Sequence, residues 1–136
     1  MSLLADVDLW RKLISGWREH REESLALAYT SIVAAVDAYL QTGNSVIVDK
    51  AILSDNSVID SLIASGKRAG AEIYEFILIA DKELIIKRAA ERGFHENGLL
   101  TPERVIELWE VAQKLKDNRP GAILIDTSEL SPDAVY

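Results

Sequence analysis

Residues 44–50 read NSVIVDK, and within them Val46, Ile47 and Val48 run without interruption into Asp49. A short, β-branched apolar run predicts a strand buried on both faces. Its single terminal carboxylate would stand at the carboxyl edge of the sheet, where open α/β sheets bind ligands. Two further runs of this kind follow, IYEFILIA at 73–80 and AILID at 122–126, each separated from the last by a helical pattern. Strands alternating with helices predict parallel crossovers and a layered α/β domain.

Composition narrows the partners. The chain has 136 residues, 49% of them apolar, enough for one domain with a real core. Its net charge is −7 and no Lys/Arg cluster of five or more occurs, which argues against nucleic acid or an anionic membrane as an obligatory partner and favours a small soluble ligand. With no cysteine there is no disulfide framework, thiolate metal site or cysteine nucleophile, in agreement with a cytoplasmic setting. No run approaches the ~18 apolar residues of a membrane span, and the start lacks a signal peptide's basic region and apolar core. Met1-Ser2-Leu3 reads as a cloning leader and SPDAVY as the start of a further helix, so both ends look truncated.

The helices follow from periodicity and end signals. A short one is expected over 9–15 with Asp8 as its cap, then a polar connection through Trp17 and His20. A long helix is expected over 22–41, with Leu25, Tyr29, Ile32, Val36 and Tyr39 as its apolar face and Gly43 just past its end. After Asp49 a loop leads to a helix capped near Asp55 or Asn56 and closed between Gly66 and Gly70. Gly66-Lys67 is not a phosphate loop, because GxxxxGK[ST] would need Gly at 61 and Ser or Thr at 68, where Ser61 and Arg68 stand. Asp81 caps a helix reaching Gly93, residues 93–100 form a mobile loop, and Thr101-Pro102-Glu103 starts a helix to about Leu115.

Asp49 is the first candidate for chemistry, holding Mg²⁺ through water or orienting a nucleophile, against the plainer reading of a turn aspartate. Arg88 and Arg92 lie four apart on one helix face, where two guanidinium forks would clamp phosphate oxygens, against the plainer reading of a solvated face partly neutralised by Glu91. Asp8 is a cap, or else it accepts a hydrogen bond or proton from a substrate hydroxyl. His95 reads as solvated, Thr127 and Ser128 as caps of the final helix, and Trp10, Trp17 and Trp109 as packing residues, with Trp10 or Trp17 available to a pocket. A phosphoacceptor signalling domain would want a lysine where Asp126-Thr127 stands, and a haloacid-dehalogenase-type hydrolase a second Asp where Ala51 stands.

In order, DLWRKLISG, SVIVD, the strand IYEFILIA leading to ELIIKRAAERG, and AILIDTSEL resemble the later two-thirds of small P-loop kinases of the zeta-toxin, chloramphenicol phosphotransferase and gluconate or shikimate kinase type. The resemblance implies a three-layer P-loop kinase fold and ATP-dependent phosphoryl transfer with Mg²⁺. It makes Asp8 the substrate-site acid after the family's second strand, although the family's preceding Gly is Val7 here. It makes Asp49 the Walker B-like acid near Mg²⁺, Arg88 and Arg92 the lid arginines, residues 93–100 the lid, and Thr127 and Ser128 the loop beside the adenine. The family's first strand and Walker A loop have no counterpart here. That strand would lie between those ending at Asp49 and Ala80, so this chain alone is expected not to turn over ATP. A fragment, a degenerate non-catalytic binding module, or a half completed by a homo-oligomer or other partner all fit this pattern.

Overall fold

The computed structural model describes residues 1–50, 56–93 and 100–130. The chain, expected as one domain, divides into two compact units, Met1–Ile73 and Tyr74–Tyr136.

In the first unit, strand β1 (Ser2–Asp6) pairs in parallel with strand β2 (Ser45–Asp49), in a register that sets Leu4 beside Ile47 and Asp6 beside Asp49. β2 is the strand expected from NSVIVDK. β1 reaches into the opening Met1-Ser2-Leu3: Ser2 and Leu3 are its first two residues. Side chains alternate across a strand, so Leu3, Ala5, Val46 and Val48 share one face, and Leu4 and Ile47 the other. Ala5, Val7, Ile32 and Val36 form the buried core of the first face, and Tyr29, Val46 and Leu62 pack against it. Leu4 and Ile47 are 62% and 59% exposed.

Helix α1 (Val7–Lys12) follows β1 directly, and helix α2 (Arg21–Leu40) begins one residue before its expected start. The buried seam of α2 is Ser24, Ala28, Ile32 and Val36, spaced by four, rather than the larger side chains at 25, 29 and 39. Small residues at 24 and 28 let α1 and the turn behind it approach closely, and Ile32, fully buried, contributes roughly 1.5–3 kcal/mol of apolar burial. Helix α3 (Asn56–Arg68) closes between Gly66 and Gly70 as expected, with Gly66 inside its last turn. Gly66 is buried inside the helix because a Cβ would meet the Ile73 side chain at 3.1 Å, while Gly70, at φ +69°, makes the turn after it. Arg68 reaches back to Asp37 of α2 at 2.6 Å.

In the second unit, β3 (Phe76–Ile79) pairs in parallel with β4 (Ile123–Asp126). β3 is shorter than the expected 73–80, and ahead of it the Glu75 carbonyl accepts the Ile123 N–H at 2.8 Å while its side chain pairs with Arg119. Helix α4 (Lys82–Arg92) follows Asp81, which occupies the N-cap position without a side-chain cap bond, and ends at Gly93 with φ +81°. Helix α5 (Pro102–Asn118) starts as expected: the Thr101 hydroxyl accepts the Arg104 N–H at 3.2 Å and Pro stands in its first turn. Trp109 packs as expected, its indole N–H donating to the Ala80 carbonyl at 3.0 Å under the Lys82 ammonium. Ile77, Ala89, Val105 and Ala112 are buried, whereas Phe76 and Leu78 on the other strand face are 53% and 57% exposed.

The four strands among the described residues therefore form two parallel pairs, each with large apolar side chains left exposed, Leu4 and Ile47 in the first and Phe76, Leu78, Ile123 and Leu124 in the second. The three-layer expectation is met by two layers within each unit. An unbroken apolar run marks strands able to be buried on both faces, and it does not say what covers the second one.

Candidate functional site

Parallel strands bring their carboxyl ends to one edge, and the candidate residues of the first unit stand there. The register places Asp6 beside Asp49. Asp6, not Asp8, caps α1: its Oδ1 accepts the N–H groups of Asp8 and Leu9 at 2.8 and 3.0 Å. Asp8 thus sits in the first turn of α1, where a carboxylate also suits the positive end of the peptide dipoles. Its side chain meets Lys50 at 2.9 Å. The Lys50 side chain is only 13% exposed while that of Asp8 remains 51% exposed, so the ammonium is confined against a carboxylate that solvent or a ligand can still reach. Asp49 is exposed at the end of β2. Lys50 was not foreseen; its one available signal is that it directly follows a strand-terminal acid and so exits at the same edge.

Behind this edge lies an open concavity of about 360 Å³ lined by Leu4, Asp6, Leu9, Trp10, Lys12 and Leu13. Trp10 is therefore the tryptophan that lines a hollow. Trp17 stands between the Arg11 and Arg18 guanidiniums, 5.4 and 4.9 Å from its ring centre. Arg11 is buried and was not foreseen either: Nε donates to Ser24 Oγ at 3.1 Å and Nη2 to the Arg21 carbonyl at 2.7 Å. It clamps α1 to the start of α2. Among the described residues no group of three or more His, Cys, Asp or Glu side chains could hold a metal ion.

At the matching edge of the second unit, the loop leaving β4 is fastened to the loop leaving β3. Thr127 donates its N–H and its hydroxyl to the Ile79 carbonyl at 2.8 and 3.1 Å. The Ser128 hydroxyl accepts the Asp81 N–H at 3.1 Å, and the Ser128 N–H donates to Asp126 at 2.9 Å. The Ser128 side chain first, then its N–H, hold the Asp126 carboxyl below the usual carboxylate range. Asp81, Lys82, Leu84, Lys87 and Ser128 line an open concavity of about 650 Å³. Thr127 and Ser128 thus act within this edge; their expected role as caps of a final helix involves residues 131–136, which lie outside the described residues. So do residues 94–99, including His95 and most of the loop expected at 93–100.

Arg88 and Arg92 share α4 but not a setting. Arg88 is half-buried and donates to Thr127 and to the Leu130 carbonyl, and Arg92 is exposed in the last turn. The structure thus groups Asp8, Asp49 and Lys50 in one unit, and Arg88, Thr127 and Ser128 in the other. No helix among the described residues is long and apolar enough to cross a membrane.

No family model and no curated protein matches the chain. Among experimentally determined structures it is similar to that of Deinococcus radiodurans tunicamycin resistance protein, at 20% identity and a TM-score of 0.60, over 98% of this chain and 77% of that one. The likeness shows the fold, a mixed α/β arrangement with parallel strands.

Proposed function

We propose that this chain is the acceptor and lid portion of a P-loop kinase-like phosphotransferase, which moves the γ-phosphoryl group of ATP to a small-molecule hydroxyl or phosphate once a phosphate-cradling loop is supplied. The observation that carries the reading is the partition of the strands. β1 pairs with β2 and β3 with β4, with acids or hydroxyls at every carboxyl end. Removing the central strand from the order implied by the family resemblance leaves these same two pairs. The strand and its GxxxxGK[ST] loop would come from residues beyond 1–136 or from a partner, a second copy included.

In this reading the acceptor hydroxyl donates to Asp8, which Lys50 and the α1 cap hold in place. The acceptor oxygen bonds to the γ-phosphorus as the bridging P–O bond to ADP breaks, and Asp8 takes the hydroxyl proton. Asp49 would hold Mg²⁺ through water, and the ion would supply charge neutralisation at the phosphates. Arg92 would meet the charge on the transferring group. Thr127 and Ser128 would border the adenine. The name of the similar Deinococcus protein puts tunicamycin in the acceptor panel, beside sugar acids, nucleosides, other antibiotics and amino-sugar nucleotides.

The test is Mg²⁺-dependent transfer from γ-labelled ATP to that panel, by the chain joined to a strand, GxxxxGK[ST] loop and helix. Transfer lost in Asp8→Asn and reduced in Arg92→Ala is the expected result. The absence of GxxxxGK[ST] from residues 1–136 favours one second reading, a non-catalytic nucleotide- or protein-binding module. ATP binding that needs no Mg²⁺ and gives no transfer would select it.

A further inference from the structure

The family resemblance treats Arg88 and Arg92 alike, yet their surroundings separate them. Arg88 Nη2 donates to the Thr127 carbonyl at 2.8 Å and to the Leu130 carbonyl at 3.4 Å, and Nη1 to the Thr127 hydroxyl at 3.3 Å. Three of the five N–H donors of the guanidinium fork thus go to one four-residue loop. The Thr127 hydroxyl in turn donates a hydrogen bond to the Ile79 carbonyl, so the chain of donors runs from α4 through the loop to the end of β3. Ser128, the next residue, accepts from Asp81 and forms part of the rim of the concavity. Turning Arg88 toward a phosphate would take its donors from two loop carbonyls and a hydroxyl at once. Arg92, one turn further along α4, is exposed.

We propose that Arg88 is a positioning residue: it fixes the 127–130 loop as a wall of the concavity. What the wall receives, the nucleotide base, rests on the function proposed above; the fastening does not. A guanidinium suits the task because its planar fork spans separate acceptors in a fixed geometry, which a single ammonium cannot do.

Amide hydrogen exchange on the full chain tests this without any nucleotide. The Thr127, Ser128 and Leu130 N–H groups are bonded to Ile79, Asp126 and Thr127, and those of Ile85 and Val105 serve as references elsewhere in the unit. In Arg88→Ala the three loop amides should exchange at least about tenfold faster with the references unchanged. Arg88→Lys should fall between Arg88→Ala and the parent, and it carries the test if the alanine variant does not fold. Arg92→Ala should leave all five amides as they are. Loop exchange within about twofold of the parent in both Arg88 variants overturns the assignment, as does an equal rise at the reference amides. A chain that binds no ATP even when joined to a strand, GxxxxGK[ST] loop and helix would refute the proposed function and leave this result standing, whereas unchanged loop exchange would refute the role of Arg88 whatever ATP does.

Discussion

Replacing Arg11 by Met keeps much of the aliphatic stem and removes the guanidinium, so it isolates the clamp between α1 and α2. Two hydrogen bonds are lost, to Ser24 at 3.1 Å and to the Arg21 carbonyl at 2.7 Å, together with the stacking on Trp17. Bonds from a charged donor are worth about 1.5–3 kcal/mol each, and a partly desolvated cation over an aromatic ring about 0.5–2 kcal/mol. Two effects reduce that sum. The Arg21 carbonyl keeps the Ser24 hydroxyl as a donor, and methionine removes the cost of burying a cation whose described partners include no carboxylate. The balance is a loss of about 2 kcal/mol from the first unit. Urea unfolding in a Trp109→Phe background reads it, because Trp10 and Trp17 then report on that unit alone. In a double-mutant cycle with Ser24→Ala the coupling should be about 1 kcal/mol. A loss below about 0.5 kcal/mol, or additivity with Ser24→Ala, would refute the view of Arg11 as a clamp.

Other expectations follow from the same contacts. Asp6→Ala should destabilise the first unit by about 1 kcal/mol through loss of the α1 cap, and Asp8→Ala by less than that, because its pair with Lys50 is half open to solvent; urea unfolding distinguishes the two. The hydrogen bond from Arg68 first, and that from Ser65 second, hold the Asp37 carboxyl below its ordinary value of 3.8. A depressed carboxylate stabilises the fold above its unfolded value and loses that contribution as pH falls through the lower native value. Arg68→Met should therefore be less stable than the parent at neutral pH, with a difference that shrinks on acidification below about pH 4, as urea midpoints across a pH series would show. A gap that is constant with pH would mean that Arg68 acts through packing alone.

The parallel α/β class was legible in NSVIVDK, IYEFILIA and AILID, because short apolar runs separated by helical periods leave few alternatives. The start of α5 was equally plain, since Thr101-Pro102 carries its own local reason for a helix start. β1 was implied by the resemblance, which sets a strand ahead of Asp8, but not by residue pattern, because five residues at the beginning of the chain have no preceding pattern from which to read a period; its pairing with β2 makes it a strand. The choice of Asp8 over Asp6 as cap failed for a related reason, as both acids stand at plausible spacing and the end of β1 decides between them. Arg11, Lys50 and Ser24 take their roles from partners far along the chain, as with Lys50, 42 residues beyond Asp8. Ile32 and Val36 of the expected α2 face are buried, while its first half moved by one residue, to Ser24 and Ala28, because small side chains admit a neighbouring element and apolar periodicity counts large ones. Of the candidate site, the acids and hydroxyls at strand ends were readable from position alone. The separation of Arg88 from Arg92 was not, since only the fold shows that the 127–130 loop lies within reach of Arg88.

The most direct measurement is a calorimetric titration of ATP, with and without Mg²⁺, into the chain before and after it is joined to a strand, GxxxxGK[ST] loop and helix. The proposed function predicts Mg²⁺-dependent binding that appears only with the added segment and weakens in Asp49→Asn. Binding that is no better with the segment than without it, or that is indifferent to both Mg²⁺ and Asp49, would contradict the kinase reading.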